Sequence, residues 1–208
     1  YIYGIIGVLF KGGEVHMLDL IQMGYEGPDF CLKDQFGTYV TLSSLKGRNI
    51  LLSFHPLAWT EVCQAQVNSI DAHIKLFERL NTLPFALSVD SFAAKKAWSD
   101  ALGIKKLQFL SDFWPHGDVA RQYGVFVEKE GFSARVNIIL NEKHEVIFAK
   151  GYELGEVPNL REIIFLLKDY TQTEIPNLDM EIQRCLKDAV GRTVCMKDSR
   201  SKGIDATN

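Results

Sequence analysis

The sequence predicts an α/β fold, with a central mixed sheet and helices on both faces, from three observations. Short apolar runs of strand length recur along the chain, and residues 49–54 are the first buried run. Longer stretches between such runs repeat apolar residues at helical spacing, as residues 61–80 do. In the last third of the chain a hairpin pattern replaces this alternation. Alternating strands and helices favour parallel pairing and a hairpin adds antiparallel strands, so the sheet is expected to be mixed.

The first half of the chain supplies two core strands and two helices. Residues 39–42 form a short strand, Gly47 marks a turn, and residues 49–54 form the first core strand. The helix over residues 61–80 buries one face, whose apolar positions are Val62, Val67, Ile70, Ile74 and Phe77. Residues 83–89 form the second core strand, and a helix follows over residues 91–102.

The second half completes the sheet. A helix over residues 118–123 ends at Gly124, a residue type typical of helix C-termini. Residues 134–140 and 145–150 flank the turn 141–144 as a hairpin, and a helix over residues 160–170 covers the sheet. This order of strand, helix, strand, helix, hairpin and helix is that of the thioredoxin-like fold.

Cys63 is the most informative single residue. It lies in the first turn of the helix that follows the first core strand. Unpaired backbone N–H groups and the helix dipole favour negative charge at that place, and so favour a reactive thiolate. Most lone cysteines are small apolar core residues, so position alone leaves both interpretations open.

The residues before Cys63 decide between them. Pro56, Thr60 and Cys63 fill the pattern Pro-x-x-x-Thr/Ser-x-x-Cys directly after a strand. This segment resembles the peroxidatic motif of the peroxiredoxins. The run Phe54-His55-Pro56-Leu57-Ala58-Trp59-Thr60 is also similar to the alkyl hydroperoxide reductase E subgroup, except at His55, where an aromatic residue is more usual.

Four further segments support the same resemblance. Residues 111–117, Ser-Asp-Phe-Trp-Pro-His-Gly, and residues 123–126, Tyr-Gly-Val-Phe, resemble that subgroup. Pro28-Asp29-Phe30 and Gly155-Glu156-Val157 match the opening and closing segments of the family. The resemblance therefore covers roughly residues 17–168, in the order that the family requires.

The resemblance implies that Cys63 attacks a peroxide and becomes a sulfenic acid. The Thr60 hydroxyl can accept a hydrogen bond from the peroxide and donate one to the thiolate, although an ordinary helix N-cap would also explain this threonine. Pro56 has no N–H group and would shape and shield the pocket. The arginine that the family uses to steady the thiolate and the developing charge falls at Arg135, and the alternative there is a surface arginine paired with a carboxylate.

Other side chains near the motif have simpler explanations. His55 could tune the thiolate, but a hydrogen-bonded structural histidine is the better interpretation. Trp59 is expected near the site by resemblance, Trp98 in the core, and Trp114 in a pocket wall or a subunit contact. Cys31 occupies an apolar position and is expected in the core.

The sequence leaves open how the sulfenic acid is reduced. The one-cysteine subgroup that the chain resembles ends near Leu167, whereas this chain continues and carries Cys185 and Cys195. Cys195 follows a valine, as a resolving cysteine in a C-terminal arm often does, and Gly191 is expected to end the helix before it. Cys185 shares an apolar helix face with Leu178, Ile182 and Ala189, so packing explains it better. An external thiol is the third possibility, and a local disulfide is excluded because position 68 is asparagine.

Composition limits the classes of partner and cofactor. The chain has 208 residues, of which 47% are hydrophobic, enough for one sizeable core. Its net charge of −3 argues against nucleic acid or an anionic membrane as the main partner. The cysteines have no CxxC spacing and the histidines are scattered, so we expect no metal, flavin or haem cofactor. Sparse cysteines suit a reducing cytosol, which predicts a cytoplasmic protein.

Three segments are expected along the chain. Residues 1–16 would be an N-terminal extension outside the ancestral domain, explained by an early start codon. This extension is too short to span a bilayer, which takes about 20 residues, and it lacks the features of a secretory signal. Residues 17–170 would form the peroxiredoxin domain with its thioredoxin-like fold, and residues 171–208 a C-terminal helical arm and tail.

The resemblance predicts an antioxidant enzyme, a thiol-dependent peroxidase that reduces hydrogen peroxide, alkyl hydroperoxides or peroxynitrite. A thioredoxin-like protein or a low-molecular-weight thiol would supply the electrons, and a homodimer or a higher homo-oligomer is expected. A peroxide-sensing relay or a holdase chaperone is the alternative, because it would use the same oxidation and pass it to a partner. A thioredoxin-type disulfide oxidoreductase needs the CxxC motif that this chain lacks.

Overall fold

A seven-stranded mixed sheet forms the centre of the computed structural model, which describes residues 5–9 and 15–201 and the side chains of residues 18–191. The strands are β1 (Ile5–Leu9), β2 (Val15–Asp19), β3 (Cys31–Asp34), β4 (Tyr39–Thr41), β5 (Asn49–Phe54), β6 (Thr82–Ser88), β7 (Gln108–Ser111), β8 (Phe126–Val127), β9 (Phe132–Ser133), β10 (Arg135–Leu140) and β11 (Val146–Tyr152). The α-helices are α1 (Glu61–Ala72), α2 (Ile74–Arg79), α3 (Phe92–Leu102), α4 (Asp118–Gln122), α5 (Leu160–Thr171) and α6 (Leu178–Ser201). A short 3₁₀ helix spans Leu42–Leu45.

The strand order in the main sheet is β11-β10-β5-β6-β7-β3-β4. Strands β5, β6 and β7 pair in parallel, whereas β10 and β3 add antiparallel partners on the two sides. Two small hairpins, β1 with β2 and β8 with β9, stand outside this sheet. The order confirms the predicted mixed sheet, with the hairpin of β10 and β11 at one edge.

Side chains that alternate along the central strands form two separate cores. Leu52 and Phe54 of β5 belong to a cluster that includes residues of α4, β2 and β8. Leu51, one position away, belongs to a second cluster that includes residues of α1, α2, α3, α5 and α6. Because successive side chains of a strand point to opposite faces, helices cover both faces of the sheet, as predicted.

The predicted helix over residues 61–80 is interrupted at His73, so this prediction was wrong in part. The backbone N–H of His73 donates to the carbonyl oxygens of both Ser69 and Ile70, which tightens the last turn of α1. The His73 Nδ1 atom also lies 2.7 Å from the Ser69 carbonyl oxygen. A side chain that competes for a helical carbonyl favours the end of a helix, and α2 begins at the next residue.

The last helix is longer than the sequence suggested. Gly191 was expected to end it, but α6 continues to Ser201 and Gly191 does not adopt a positive φ. A glycine inside a helix costs only about 1 kcal/mol, so it is a weak stop signal where the backbone stays helical. The face of α6 predicted to be apolar is buried at Leu178, Ile182, Cys185 and Ala189, and α6 packs on α1.

Among the helices of the part of the chain described above, none has the length and apolar character that a bilayer crossing requires.

Because α6 packs on the helix that carries Cys63, it should contribute to stability. Ile182 is 0% exposed, so Ile182→Ala should lower the free energy of unfolding by about 2–5 kcal/mol. The matched control, Met180→Ala on the exposed face of α6, should change it by no more than about 0.5 kcal/mol. Urea denaturation followed by circular dichroism measures both values. Equal midpoints for the two variants would show that α6 does not stabilise the domain.

Candidate active site

Cys63 lies at the point where β5, the following loop and α1 meet. It is the third residue of α1, after the N-cap residue Thr60, and only 1% of its surface is exposed. Its side chain lines a pocket of about 570 Å³ that Pro56, Thr60 and Arg135 also line. The structure therefore brings together all four residues that the sequence predicts for the site.

Arg135, the first residue of β10, contacts the Cys63 sulfur with both ends of its guanidinium group. Its Nη1 and Nη2 atoms each lie 3.6 Å from Sγ, and the residue is 2% exposed. Nη2 also donates to the Leu154 carbonyl oxygen at 2.9 Å. Within the described chain Arg135 has no carboxylate partner, so the alternative of a surface arginine paired with a carboxylate is wrong. A fixed cation at this distance stabilises negative charge on the sulfur.

Gln66 holds this arginine in place and was missed by the sequence analysis. Its Oε1 atom accepts a hydrogen bond from Nη1 of Arg135. Its Nε2 atom donates to Ser53 Oγ at 2.7 Å and to the Phe54 carbonyl oxygen at 3.2 Å, and Ser53 Oγ donates to Asn137 Oδ1 at 2.7 Å. Gln66 follows Cys63 by three positions on the same face of α1, a spacing that could have identified it.

Asp90, which the sequence analysis also missed, anchors the loop between β5 and α1. The carboxylate oxygen Oδ2 of Asp90 accepts hydrogen bonds from the Ala58 backbone N–H at 2.9 Å and from Ser88 Oγ at 2.7 Å. Ser111 Oγ donates to the Asp90 carbonyl oxygen at 2.7 Å. The loop that carries Pro56 and Thr60 is thus tied to the ends of β6 and β7.

Thr60 lines the pocket, and its hydroxyl group makes a hydrogen bond within this loop. It donates to the Leu57 carbonyl oxygen at 3.0 Å, which leaves the oxygen free to accept. Thr60 is the N-cap residue of α1 by backbone conformation, but its side chain makes no capping hydrogen bond. The capping interpretation is therefore correct for its position and wrong for its hydroxyl group.

The pocket walls are mostly apolar. Leu57, Val62, Phe132 and Leu154 line it beside Pro56, and Glu61 and Glu153 are its two carboxylates. An apolar wall around a nearly buried sulfur limits the water that can compete for the site, which strengthens electrostatic interactions inside it. A neutral molecule with an apolar body and a small polar end would fit this lining.

His55 and Trp98 lie deeper than the pocket. His55 is 0% exposed, and neither of its ring nitrogens has a hydrogen-bond partner in the described chain, so the expected hydrogen-bonded histidine was wrong. Its ring packs 5.5 Å from the ring of Trp98, which is buried as predicted. Burial, with the nearby charges of Lys95 and Arg135, holds the pKa of His55 well below its usual value, so the ring is neutral.

The other cysteines have different environments. Cys31 was expected in the core, but it is exposed, because Leu32 and Asp34 take the buried positions of β3. Cys185 is 9% exposed on α6, and burial raises the pKa of its thiol. The side chain of Cys195 lies outside the described residues.

No group of three or more histidine, cysteine or acidic residues in the described part of the chain is arranged to hold a metal ion. Cys63 supplies a sulfur, and the residues around it supply one guanidinium group, a hydroxyl group, an amide and the two carboxylates of the pocket. This set can stabilise and direct a thiolate, and the reaction it supports takes place at the sulfur.

Comparison with known proteins identifies the family. Residues 23–149 match the model of the AhpC/TSA family. Alkyl hydroperoxide reductase E of Mycobacterium tuberculosis is 36% identical over 143 residues, which cover 68% of this chain and 93% of that protein. Peroxiredoxin 2 of Thermoplasma acidophilum is 32% identical over 151 residues, which cover 70% of this chain and 74% of that protein.

Solved structures agree on the fold. AhpC of Enterococcus faecalis superposes with a TM-score of 0.67 at 23% identity, over 74% of this chain and 97% of that one. AhpC of Mycobacterium tuberculosis gives a TM-score of 0.65 at 21% identity, over 74% of this chain and 99% of that one. At these identities the superpositions show the shared fold alone.

If Gln66 holds Arg135 against the sulfur, its loss should make Cys63 less reactive. Gln66→Leu removes both the acceptor for Nη1 and the donor to Ser53. It should slow alkylation of Cys63 by iodoacetamide at neutral pH by about tenfold, which corresponds to about 1.4 kcal/mol of activation free energy. Gln183→Leu on the exposed face of α6 is the control and should react like the unmodified protein. Mass spectrometry of the Cys63 peptide gives the rate, and equal rates in both variants would rule out this role for Gln66.

Proposed function

The chain belongs to the AhpC/TSA family and is a thiol-dependent peroxidase, and on that premise we propose that Cys63 is the sulfur that attacks the peroxide. The observation that carries the proposal is the pair of 3.6 Å contacts from the buried Arg135 guanidinium group to the Cys63 sulfur. Of the three described cysteines, Cys63 alone lies beside a buried cation, in the first turn of a helix and in a pocket. These three features together favour a reactive thiolate.

In the reaction, the Cys63 thiolate attacks one peroxide oxygen in line with the O–O bond. A sulfur–oxygen bond forms as the O–O bond breaks, so the electron pair passes from sulfur to peroxide. The departing oxygen gains negative charge, takes up a proton and leaves as water or an alcohol, while Cys63 remains as a sulfenic acid. Arg135 stabilises the thiolate before the attack and the departing oxygen during it.

Thr60 and Pro56 would orient the peroxide. The Thr60 hydroxyl oxygen lines the pocket with its proton donated to Leu57, so it can accept a hydrogen bond from a hydroperoxide. Donation from Thr60 to the thiolate would require the hydroxyl group to rotate away from Leu57. Pro56 is buried and has no N–H group, so it forms a wall without competing for the substrate.

The pocket supports alkyl hydroperoxides as substrates, beside the smaller hydrogen peroxide and peroxynitrite. Leu57, Val62, Phe132 and Leu154 offer apolar surface to an alkyl group whose hydroperoxide end points to Cys63. A pocket of about 570 Å³ has room for such a group. The negative charges of Glu61 and Glu153 at the same pocket favour a neutral peroxide over an anion.

The proposal extends to partners, location and domain organisation. A thioredoxin-like protein or a low-molecular-weight thiol in the cytoplasm would reduce the oxidised enzyme. The exposed aromatic side chains of Trp59, Phe113 and Trp114 support a homodimer or a larger homo-oligomer, since large exposed apolar groups often mark subunit contacts. Residues 17–170 would be the catalytic domain and residues 171–208 the arm. No specific observation favours the alternative of a sensor or holdase.

The route of resolution is proposed to be an external thiol. Cys185 is buried on α6, the helix that packs on α1. Burial raises the pKa of its thiol, which makes it a poor nucleophile towards a sulfenic acid. An external thiol can approach through the pocket that Cys63 lines and needs no second sulfur of the chain.

The role of Cys63 predicts a clear difference between two cysteine variants. Cys63→Ser should reduce peroxidase activity at least about a hundredfold, because a serine hydroxyl is not ionised at neutral pH and cannot take the oxygen. Cys31→Ser should keep activity within about twofold, since Cys31 lies exposed on β3, opposite Thr41 of β4, and does not line the pocket. Stopped-flow peroxide consumption with excess dithiothreitol measures both. Activity of Cys63→Ser near that of Cys31→Ser would disprove the proposal.

Resolution by an external thiol predicts the products of one equivalent of peroxide. In the absence of reductant, Cys63 should stop at the sulfenic acid, trapped by dimedone, with Cys185 and Cys195 still reduced. Peptide mass spectrometry identifies these species, and Cys195→Ser is the matched variant. A disulfide between Cys63 and Cys195, lost in Cys195→Ser, would instead make the arm the resolving device. Non-reducing electrophoresis would then distinguish a bond between subunits from one within a chain.

A further inference from the structure

The ionisable residues of the active-site pocket form two layers. Cys63 and Arg135 are the inner layer, because they are only 1% and 2% exposed. The two acidic residues that line the pocket, Glu61 and Glu153, are exposed and form the outer layer. The described pocket lining therefore places a positive charge beside the sulfur and negative charges nearer to the solvent.

The inner cation is balanced within the inner layer. The Arg135 guanidinium group contacts the Cys63 sulfur at 3.6 Å through both Nη atoms. It also donates to Gln66 Oε1 and, at 2.9 Å, to the Leu154 carbonyl oxygen. Within the described residues no carboxylate accepts a hydrogen bond from Arg135, so its charge is balanced at the sulfur and not by the outer layer.

Glu153 is tied to the inner layer through the backbone. Its carbonyl oxygen accepts from the Glu156 backbone N–H at 3.0 Å, which closes a turn directly after β11. The next residue of this turn, Leu154, supplies the carbonyl oxygen that holds Arg135. In the part of the chain that the structure describes, the Glu153 side chain forms no ion pair. The turn that fixes the arginine therefore also fixes a negative charge at the pocket.

Reduction of Cys63 by an external thiol brings a second sulfur into the same pocket. The thiol sulfur bonds to Cys63 as the sulfur–oxygen bond of the sulfenic acid breaks, and the oxygen leaves as water with the thiol proton. A second thiol then attacks the sulfur of the first, which releases the Cys63 thiolate, a free disulfide and a proton. Between the two steps the body of the first thiol is held covalently in the pocket that Glu61 and Glu153 line.

We propose that Glu153, together with Glu61, determines which thiol reduces Cys63: an uncharged or positively charged thiol is favoured, and a thiol with a negative charge near its sulfur is disfavoured. The inference rests on the proposed role of Cys63 and on its reduction by an external thiol. A cationic thiol matches both layers, with its sulfur at the inner layer and its positive charge near the carboxylates. An anionic thiol meets like charges, which raises the free energy of its entry.

This selection requires no direct contact between the thiol and the carboxylates. Charges act over about 8 Å at physiological ionic strength. The apolar side chains of the pocket, such as Leu57 and Phe132, contribute to the binding of a thiol body irrespective of its charge. Reagents of similar size and different charge therefore separate the effect of the carboxylates from that of the apolar walls.

A pair of alkylating reagents tests the charge selection without peroxide. Iodoacetamide is neutral and iodoacetate is an anion of nearly the same size, and peptide mass spectrometry gives the rate of each at Cys63. Glu153→Gln should lower the ratio of the iodoacetamide rate to the iodoacetate rate by about threefold at low salt, the size of effect expected for one exposed charge. The difference should decline near about 1 M salt, where charges are screened within about 3 Å.

Glu156→Gln is the matched control for this test. It makes the same change in net charge within the same turn, and Glu156 does not line the pocket. The ratio in Glu156→Gln should equal that of the unmodified protein. Equal ratios in both variants and the unmodified protein would show that Glu153 does not select by charge.

Two small thiols test the reductant itself. After one equivalent of hydrogen peroxide, cysteamine, a cation, and mercaptopropionate, an anion, are added to separate samples, and peptide mass spectrometry follows the mixed disulfide at Cys63. The ratio of the cysteamine rate to the mercaptopropionate rate should fall about threefold in Glu153→Gln and remain unchanged in Glu156→Gln. Because each thiol is compared with itself across the variants, differences in intrinsic reactivity between the thiols cancel.

The outcomes distinguish this inference from the proposed function. An unchanged thiol ratio in Glu153→Gln, with the sulfenic acid and the mixed disulfide formed at Cys63, would overturn the selection and leave the role of Cys63 intact. A protein in which peroxide leaves Cys63 reduced would overturn both.

Discussion

The contact between the Arg135 guanidinium group and the Cys63 sulfur is the constraint on which the rest of the site depends. Both residues are almost fully buried, and a buried ion pair is stable only if its remaining polar atoms find partners. Gln66 Oε1 and the Leu154 carbonyl oxygen accept hydrogen bonds from the guanidinium group. Ser53 Oγ accepts one from Gln66, and Asn137 Oδ1 accepts one from Ser53. Helix α1, strands β5 and β10 and the segment after β11 are thereby held in one arrangement.

That arrangement also explains why the pocket is apolar. The Cys63 sulfur is 1% exposed and lines the pocket, whose mostly apolar walls limit the water that would weaken an attraction between a thiolate and Arg135. The loop is held by a hydrogen bond outside the pocket. The Asp90 carboxylate accepts this bond from the Ala58 backbone N–H and a second one from Ser88 Oγ. The loop therefore lines the pocket with the apolar side chains of Pro56 and Leu57, and it is bound to the rest of the protein by a hydrogen bond.

The local pattern of the chain predicted the strand β5, the hairpin of β10 and β11, and the place of Cys63 and Thr60, because each depends on residues close in sequence. Arg135 was found by family resemblance, since nothing in its own neighbourhood marks it. Gln66 and Asp90 were missed because the partners that give them their roles, Arg135 and Ala58, are distant in sequence. The break at His73, the exposure of Cys31 and the continuation of α6 past Gly191 likewise depend on packing and side-chain hydrogen bonds that periodicity does not contain.

On the proposed role of Cys63, the charge that would activate the sulfur would also favour its return to the reduced form. Once Cys63 is a neutral sulfenic acid, Arg135 remains buried with only neutral acceptors, those of Gln66 and Leu154. A cation held by dipoles alone is less stable in a buried site than one beside an anion. Reduction by a thiol restores the thiolate and with it the partner of Arg135, so the buried arginine favours both attack on the peroxide and completion of the cycle.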